Sequence, residues 1–394
     1  MNKTNLFRIG IVLLVGTFLV AACGGGTSQV DTLKIGVIAE ITGEVPKVGE
    51  AGVNSVEMYV EEVNAAGGID VGGKKYTIEL VIEDGTTAPE GSASAASKLI
   101  EQDKVLAIVG PNRSMGAIPG GEIANTAGVV MISPWSTNPR TTAGRPYVFR
   151  APFLDTFQGV VDAQFATDEF GVTKAAILYD IACDYCKGIA EYFQAEFDNI
   201  HGPGSVVTVE TFTTGDQDFS AQLTKIKGTD AEVIFTPQFY NEVPLIVSQA
   251  NDLGLDVTIL GSDSWGDPQT LELCGEPCNG LFFTTHYVAS AAVGATKDFV
   301  DKYEELHGAG TASDVAALGW DSIELVVTAI QNCGEITGDL EADRTCIKDG
   351  MASITDFAGI TGTMSFDAEG DPIKCVAVVK IVDEAFVQYD EVCP

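Results

Sequence analysis

Residues 33–83 read LKIGVIAEITGEVPKVGEAGVNSVEMYVEEVNAAGGIDVGGKKYTIELVIE. Leu33–Ala39 is short, β-branched and alternating, which predicts a strand; Ala51–Ala66 puts Val53, Val56, Tyr59, Val60 and Val63 on one helical face. Gly67-Gly68 ends that helix, and Tyr76–Glu83 alternates again. Two strands separated by a helix pair in parallel, so this stretch sets the class as α/β.

The cycle repeats outward from it: a helix from Pro89 to Ile100, strand Val105–Val109, helix Ser114–Thr126 and strand Val129–Ser133. After Arg150 a second series begins, with helices Phe157–Phe170, Lys187–Phe197, Phe219–Lys227 and Glu242–Leu253 between strands Ala175–Asp180, Val206–Phe212, Val233–Thr236 and Thr258–Gly261. A second parallel α/β domain is expected from this series. Leu281–Thr285 is followed by helices Thr296–His307, Ala312–Asn332 and Arg344–Ala352, and the tail reads as β: Met364–Asp367, Lys374–Val382 and Phe386–Tyr389. Asp367, Glu369 and Asp371 surround a tight turn; the other ligand positions of a calcium loop do not follow, and no metal or cofactor is expected.

The chain opens with Lys3 and Arg8, an apolar run from Ile9 to Ala22, and then Cys23. That run is shorter than the roughly 20 residues of a membrane-spanning helix and has small residues before a cleavage point, so residues 1–22 read as a secretory leader. Residues 23–30 read as a flexible tether, since the glycines and serine of Gly24 to Gln29 carry no apolar surface to fold around. About 370 residues then remain, more than one core normally organises. Hydrophobic residues make up 45% of the chain, and the formal net charge is −34. A surface this anionic repels phosphate backbones and argues against nucleic acid as a partner.

Of nine cysteines, eight follow Cys23: Cys183, Cys186, Cys274, Cys278, Cys333, Cys346, Cys375 and Cys393. An even number in an exported chain fits disulfides, and local pairing of 183 with 186, 274 with 278, 333 with 346 and 375 with 393 needs the least rearrangement. Two rival readings exist for Cys183-Asp184-Tyr185-Cys186: a thiol–disulfide oxidoreductase pair, or half of a four-thiolate zinc site with Cys274 and Cys278. The redox reading would require the motif to open a helix with an exposed first thiol.

Open parallel sheets bind ligands beyond the carboxyl ends of their strands. The loops there hold Arg113 and Ser114; Trp135, Ser136 and Thr137; Asp184 and Tyr185; Phe239 and Tyr240; and Asp263 and Trp265. Ser114 at a helix start accepts a carboxylate, Ser136 and Thr137 add hydroxyls, Asp263 neutralises an ammonium, and the rings cover an apolar side chain. Arg113 suits either an acidic ligand or a solvent salt bridge. His201, His286 and His307 lack metal-ligand spacing and read as surface or capping residues, and no hydrolase elbow or phosphate loop occurs.

Three stretches carry a family resemblance: Thr42-Gly43-Glu44-Val45, Asn64-Ala65-Ala66-Gly67-Gly68-Ile69, and Met131 to Pro139 (MISPWSTNP). They resemble the branched-chain amino-acid binding class of ABC-transporter substrate-binding proteins, with a type I periplasmic-binding fold. The resemblance implies two doubly wound parallel-sheet lobes joined by a three-strand hinge: lobe 1 over 31–154 and 286–373, lobe 2 over 155–285 and 374–394. It implies ligand contacts from Ser114, Ser136, Thr137 and Asp263, and from Asp155 and Tyr185 at the cleft edge. Cys23 then resembles the lipidated first residue of a bacterial lipoprotein, which would hold a monomer on the membrane outside the cytoplasm, in the periplasm or on the outer face. Val48 stands where the family often has an aromatic, and Phe239 where it has tyrosine. The expected activity is capture of an amino acid or close analogue and its delivery to ABC permease subunits, without enzymatic chemistry; a sensory module for a membrane receptor is the alternative.

Overall fold

The computed structural model describes residues 31–394. The leader, the tether and Cys23 lie outside the described residues. In chain order the first layer holds β1 (Asp31–Ala39), α1 (Pro46–Ala65), β2 (Ile69–Val71), β3 (Lys74–Asp84), α2 (Pro89–Lys98), β4 (Ala107–Val109), α3 (Ser114–Thr126), β5 (Val130–Ser133) and β6 (Val148–Arg150). The second series is α4 (Asp155–Phe170), β7 (Ala175–Asp180), α5 (Asp184–His201), β8 (Val206–Phe212), α6 (Ser220–Lys227), β9 (Val233–Phe235), α7 (Val243–Asp252), β10 (Thr258–Leu260), α8 (Gln269–Cys274) and β11 (Phe282–Thr285). Then come α9 (Gly294–His307), α10 (Asp314–Asn332), α11 (Leu340–Ala352), the hairpin β12 (Phe357–Gly359) and β13 (Gly362–Met364), and the closing pair β14 (Val376–Val382) and β15 (Ala385–Val392).

Two sheets result, in the orders β2-β3-β1-β4-β5-β6 and β15-β14-β11-β10-β9-β7-β8. Both are mixed where uniform parallel sheets were expected. β2 is antiparallel to β3, and β14 and β15 run antiparallel at the opposite edge of the second sheet. The β2 edge escapes pattern reading because Ile-Asp-Val is too short to show a period. Its turn, Gly72-Gly73, has φ of 60° and 86°, the left-handed region a two-residue hairpin requires. A side chain at Gly72 would also meet the Gly334 carbonyl at 1.8 Å.

Both sheets are covered on two faces, which is why their central strands are continuously apolar. Leu33, Ile35 and Val37 pack against Val56 and Val60 of α1 and Ile323, Val326 and Ile330 of α10, while Ile38, Ile108 and Met131 face the alanines of α2 and α3. In the second sheet Ile177, Val233 and Phe235 meet Ile189, Phe193 and Phe197 of α5; Leu178, Ile234 and Ile259 meet Leu223, Ile226, Ile246 and Val247 of α6 and α7. The chain passes between these layers at 151–154, again after β11 into α9–α11, and a third time at 365–375 into β14.

All four disulfides are local: Cys183–Cys186, Cys274–Cys278, Cys333–Cys346 and Cys375–Cys393. The zinc reading fails, since each thiol of that set is bonded within its own pair. One expectation about Cys183 needs correction. α5 starts at Asp184, not Lys187, so the Cys-x-x-Cys run does open a helix after a strand. Its sulfurs are nonetheless sealed, with Cys183 3% and Cys186 0% exposed, unlike an activated exchange thiol.

Candidate functional site

β4 ends at Val109, and Asn112 to Ser114 turn the chain into α3. Glu40, just past β1, is buried and locks this turn: it accepts from the Arg113 amide at 2.9 Å and from Asn112 Nδ2 at 2.8 Å. Ser136, after β5, donates from Oγ to Ser114 Oγ at 2.9 Å and lies 2.6 Å from Thr141 Oγ1. Ser114 lines the cleft, its oxygen accepting from Ser136 and its own proton free to donate. Thr137 is buried, with its side chain beside the Asp155 carboxyl. A hydroxyl beside a helix start suits a carboxylate.

Arg150, fully buried at the end of β6, holds that loop from below. It donates to Ser136 O at 2.8 Å, Asn138 O at 2.9 Å and Thr142 Oγ1 at 2.8 Å, and pairs with Asp371 at 2.5 Å. Asp367 shapes the turn that presents Asp371, accepting from the Glu369 and Asp371 amides. The acidic turn of 367–371 is therefore a structural anchor for Arg150.

The second layer faces these hydroxyls with an acid. Asp263 follows β10; it accepts from Tyr185 Oη at 2.5 Å and lies 3.2 Å from His286 Nε2. Tyr185 Oη is also 2.6 Å from Ser262 Oγ. Phe239 sits between Trp135 and Tyr185, with ring centroids 6.0 Å from each, and the Arg113 guanidinium stacks on it at 4.4 Å. Arg113 is buried, with Glu44 3.6 Å away at its exposed side.

These residues line a narrow, closely packed cleft, with Arg113, Ser114, Met115 and Trp135 on one side and Cys183 to Tyr185, Phe239, Asp263 and Ser264 on the other. Ser114, Trp135, Tyr185, Phe239 and Asp263 thus meet in one space. Ser136, Thr137 and Asp155 lie buried outside this lining, Ser136 bonded to Ser114 and the Asp155 amide donating to Thr137 O at 3.0 Å. Trp265 goes elsewhere: its Nε1 donates to Thr236 O at 3.0 Å and its ring lies flat on Gly261, where a Cβ would come within 2.2 Å. It packs in the core of the second sheet.

Electrostatics give the site a sign. Burial pushes the Asp155 carboxyl up to about 8 and Asp314 up to about 7, with the Asp263 charge adding in each case. Asp162 is raised well above its usual range by burial as well. The Thr137 hydroxyl beside Asp155 tempers its rise. His286 contributes no full charge in return, since burial depresses its pKa. Asp263 is the acid that lines the cleft, and an incoming cation would favour the ionised forms of the buried acids coupled to it.

His286 is a correction to the surface reading. Its ring is buried against Phe153 at 3.8 Å between centroids. The strand-end rule applied to β11 would have found it, since it directly follows Thr285. Arg150 gave no such signal, because a three-residue strand has no period to read. Asp314 starts α10, yet only tertiary packing brings Trp135 Nε1 to its Oδ2 at 3.0 Å.

Two doubly wound α/β layers, linked by three crossovers and sharing a cleft at their strand ends, define a solute-binding protein with the type I periplasmic-binding fold. A family model described as periplasmic binding protein matches residues 32–385. The Leu/Ile/Val-binding protein BraC3 of Rhizobium johnstonii is 31% identical over 333 residues, covering 84% of this chain and 87% of that protein. Among solved structures, the leucine-binding protein LivK of Thermotoga maritima superposes with a TM-score of 0.83 at 33% identity, covering 92% of this chain and 99% of that one. The substrate-binding protein LivJ of Streptococcus pneumoniae, in complex with isoleucine, gives 0.82 at 34% identity, covering 92% and 100%. The chain belongs to the periplasmic binding protein family.

Proposed function

We propose that this protein captures an α-amino acid with an apolar side chain and hands it to an ABC permease. The observation that carries this reading is the polarity of the cleft: Ser114 on one wall and Asp263 with Tyr185 on the other, with Met115, Trp135 and Phe239 between. A zwitterion has that pattern of charge. Its carboxylate meets the Ser114 hydroxyl at the start of α3, which Ser136 holds from behind; its ammonium meets Asp263. The binding of leucine and isoleucine by the relatives above supports the same class of ligand.

Residues 31–154 with 286–373 and residues 155–285 with 374–394 act as two lobes. Ligand contacts to both favour the shut arrangement, and only that differential affinity shifts the hinge equilibrium. The protein works outside the cytoplasm as a monomer, tethered through lipid on Cys23, and makes or breaks no bond in its ligand. A thermal-shift screen of the twenty amino acids, followed by titration calorimetry, tests this. A saturable response to leucine, isoleucine or valine is expected; no response to any amino acid would end the reading.

A further inference from the structure

Solute capture by itself does not account for one sequence motif, Cys183-Asp184-Tyr185-Cys186. Its disulfide closes the first turn of α5, with Cys183 as the capping residue and its Sγ accepting from the Cys186 amide at 3.1 Å. Helix first turns are where backbone donors lack partners and the helix frays, and serine, threonine, aspartate or asparagine are the usual caps. A covalent closure does here what a weak sulfur acceptor cannot. The turn it closes is the part of α5 that faces the cleft. Cys183, Asp184 and Tyr185 all line it, and Tyr185 reaches Asp263 with its hydroxyl. Asp184 meets the other layer, its carbonyl accepting from Asn138 Nδ2 at 3.0 Å and its carboxylate pairing with Arg140 at 2.9 Å.

We propose that the Cys183–Cys186 disulfide is a positioning element of the ligand site, holding the first turn of α5 so that Tyr185 Oη stays on Asp263, and that opening it lowers ligand affinity. This rests on the amino-acid reading of the cleft. Coupling of this kind is reciprocal, so bound ligand makes the disulfide harder to reduce by the same factor. A dithiol such as dithiothreitol supplies two electrons and two protons, breaking one S–S bond into two thiols as the reagent closes into its cyclic disulfide.

The variant Cys183→Ser/Cys186→Ala keeps a hydroxyl cap and removes the bond. Titrated with L-isoleucine, it is expected to bind about tenfold more weakly than wild type, consistent with a lost contact to a charged group. In a Tyr185→Phe background the same change should cost less than about twofold, because the hydroxyl it positions is already gone. In wild type, saturating isoleucine should shift the 183–186 midpoint, read by thiol trapping and mass spectrometry in dithiothreitol buffers, by about 30 mV per tenfold of coupling. Equal affinities, full additivity with Tyr185→Phe, or an unshifted midpoint would overturn the proposal. If wild type binds no amino acid, the function above fails instead. The positioning claim is then judged on ligand-free protein, where amides of 184–188 and 262–264 should exchange faster in the disulfide variant; unchanged exchange would sink it.

Discussion

His286 Nε2 lies 3.2 Å from Asp263 Oδ2 in a setting closed to water, so the acid offered to the ligand is held by an imidazole rather than by a permanent cation. A lysine or arginine there would compete with the ligand's ammonium. The neutral ring orients the carboxylate and leaves its charge available. Asp263→Asn should therefore weaken amino-acid binding about tenfold or more, through loss of a charged contact worth roughly 1.5 to 3 kcal/mol. Ligand-free Tm should not fall, because the change removes charge from beside Asp155, Asp162 and Asp314. Unaltered affinity in calorimetry would remove Asp263 from the site.

Arg150 has no exposed atom to trade for water if its partner is lost. Arg150→Met leaves Asp371 and the carbonyls of Ser136 and Asn138 without their donor, and should cost about 3–5 kcal/mol in chemical denaturation. Binding should weaken too, since the Ser136–Asn138 loop loses its support.

Ligand-free stability should fall as pH rises from ~5 to ~8. Burial holds Asp155 at about 8, Asp314 and Glu242 at about 7, and Asp267 at about 6. Unfolded carboxyls titrate near ~4, so across this window the folded chain holds more protons than the unfolded one. His286 acts oppositely, costing stability only as pH drops below ~6.5, and one imidazole is outweighed by four carboxyls. Tm measured at the two ends of the window checks the sign. An arriving ammonium favours the ionised acids, so isoleucine binding at neutral pH should also release protons, seen as a buffer-dependent calorimetric enthalpy.

The Arg140–Asp184 pair joins the layers at the solvent edge, where the arginine side chain is 66% exposed. Arg140→Ala should lower affinity by no more than about fivefold, the range of an exposed ion pair. A larger loss would mean that this contact governs closure.

Cys23→Ser in the full-length chain should release the protein from membranes in detergent phase partitioning, since one residue carries the proposed anchor. Continued membrane association would refute lipidation at this position.

Much of the fold was legible because the strands are buried on both faces and the helices on one, which forces the periods read in 33–83 and in the second series. The misses share a cause. β2, β6 and the hairpin of β12 and β13 are three residues each, too short for any period, and exist because neighbouring strands offer free backbone partners. α1 begins at Pro46 rather than Ala51 because proline suits a first helical position, where its missing donor is not needed.

At the site, sequence alone could choose residue types. Ser114, Tyr185 and Asp263 follow strands, and strand ends converge whenever a parallel sheet is wound on both faces. Which of two tryptophans reached the cleft was decided elsewhere: Trp135 found an acceptor in Asp314, 179 residues away, while Gly261 left room for Trp265 to lie down in the core. The sign of the site was also a tertiary matter. Asp155, Asp162, Asp263 and Asp314 are ordinary surface-type residues in one dimension, and only the fold takes all four out of water and leaves Asp263 to line the cleft.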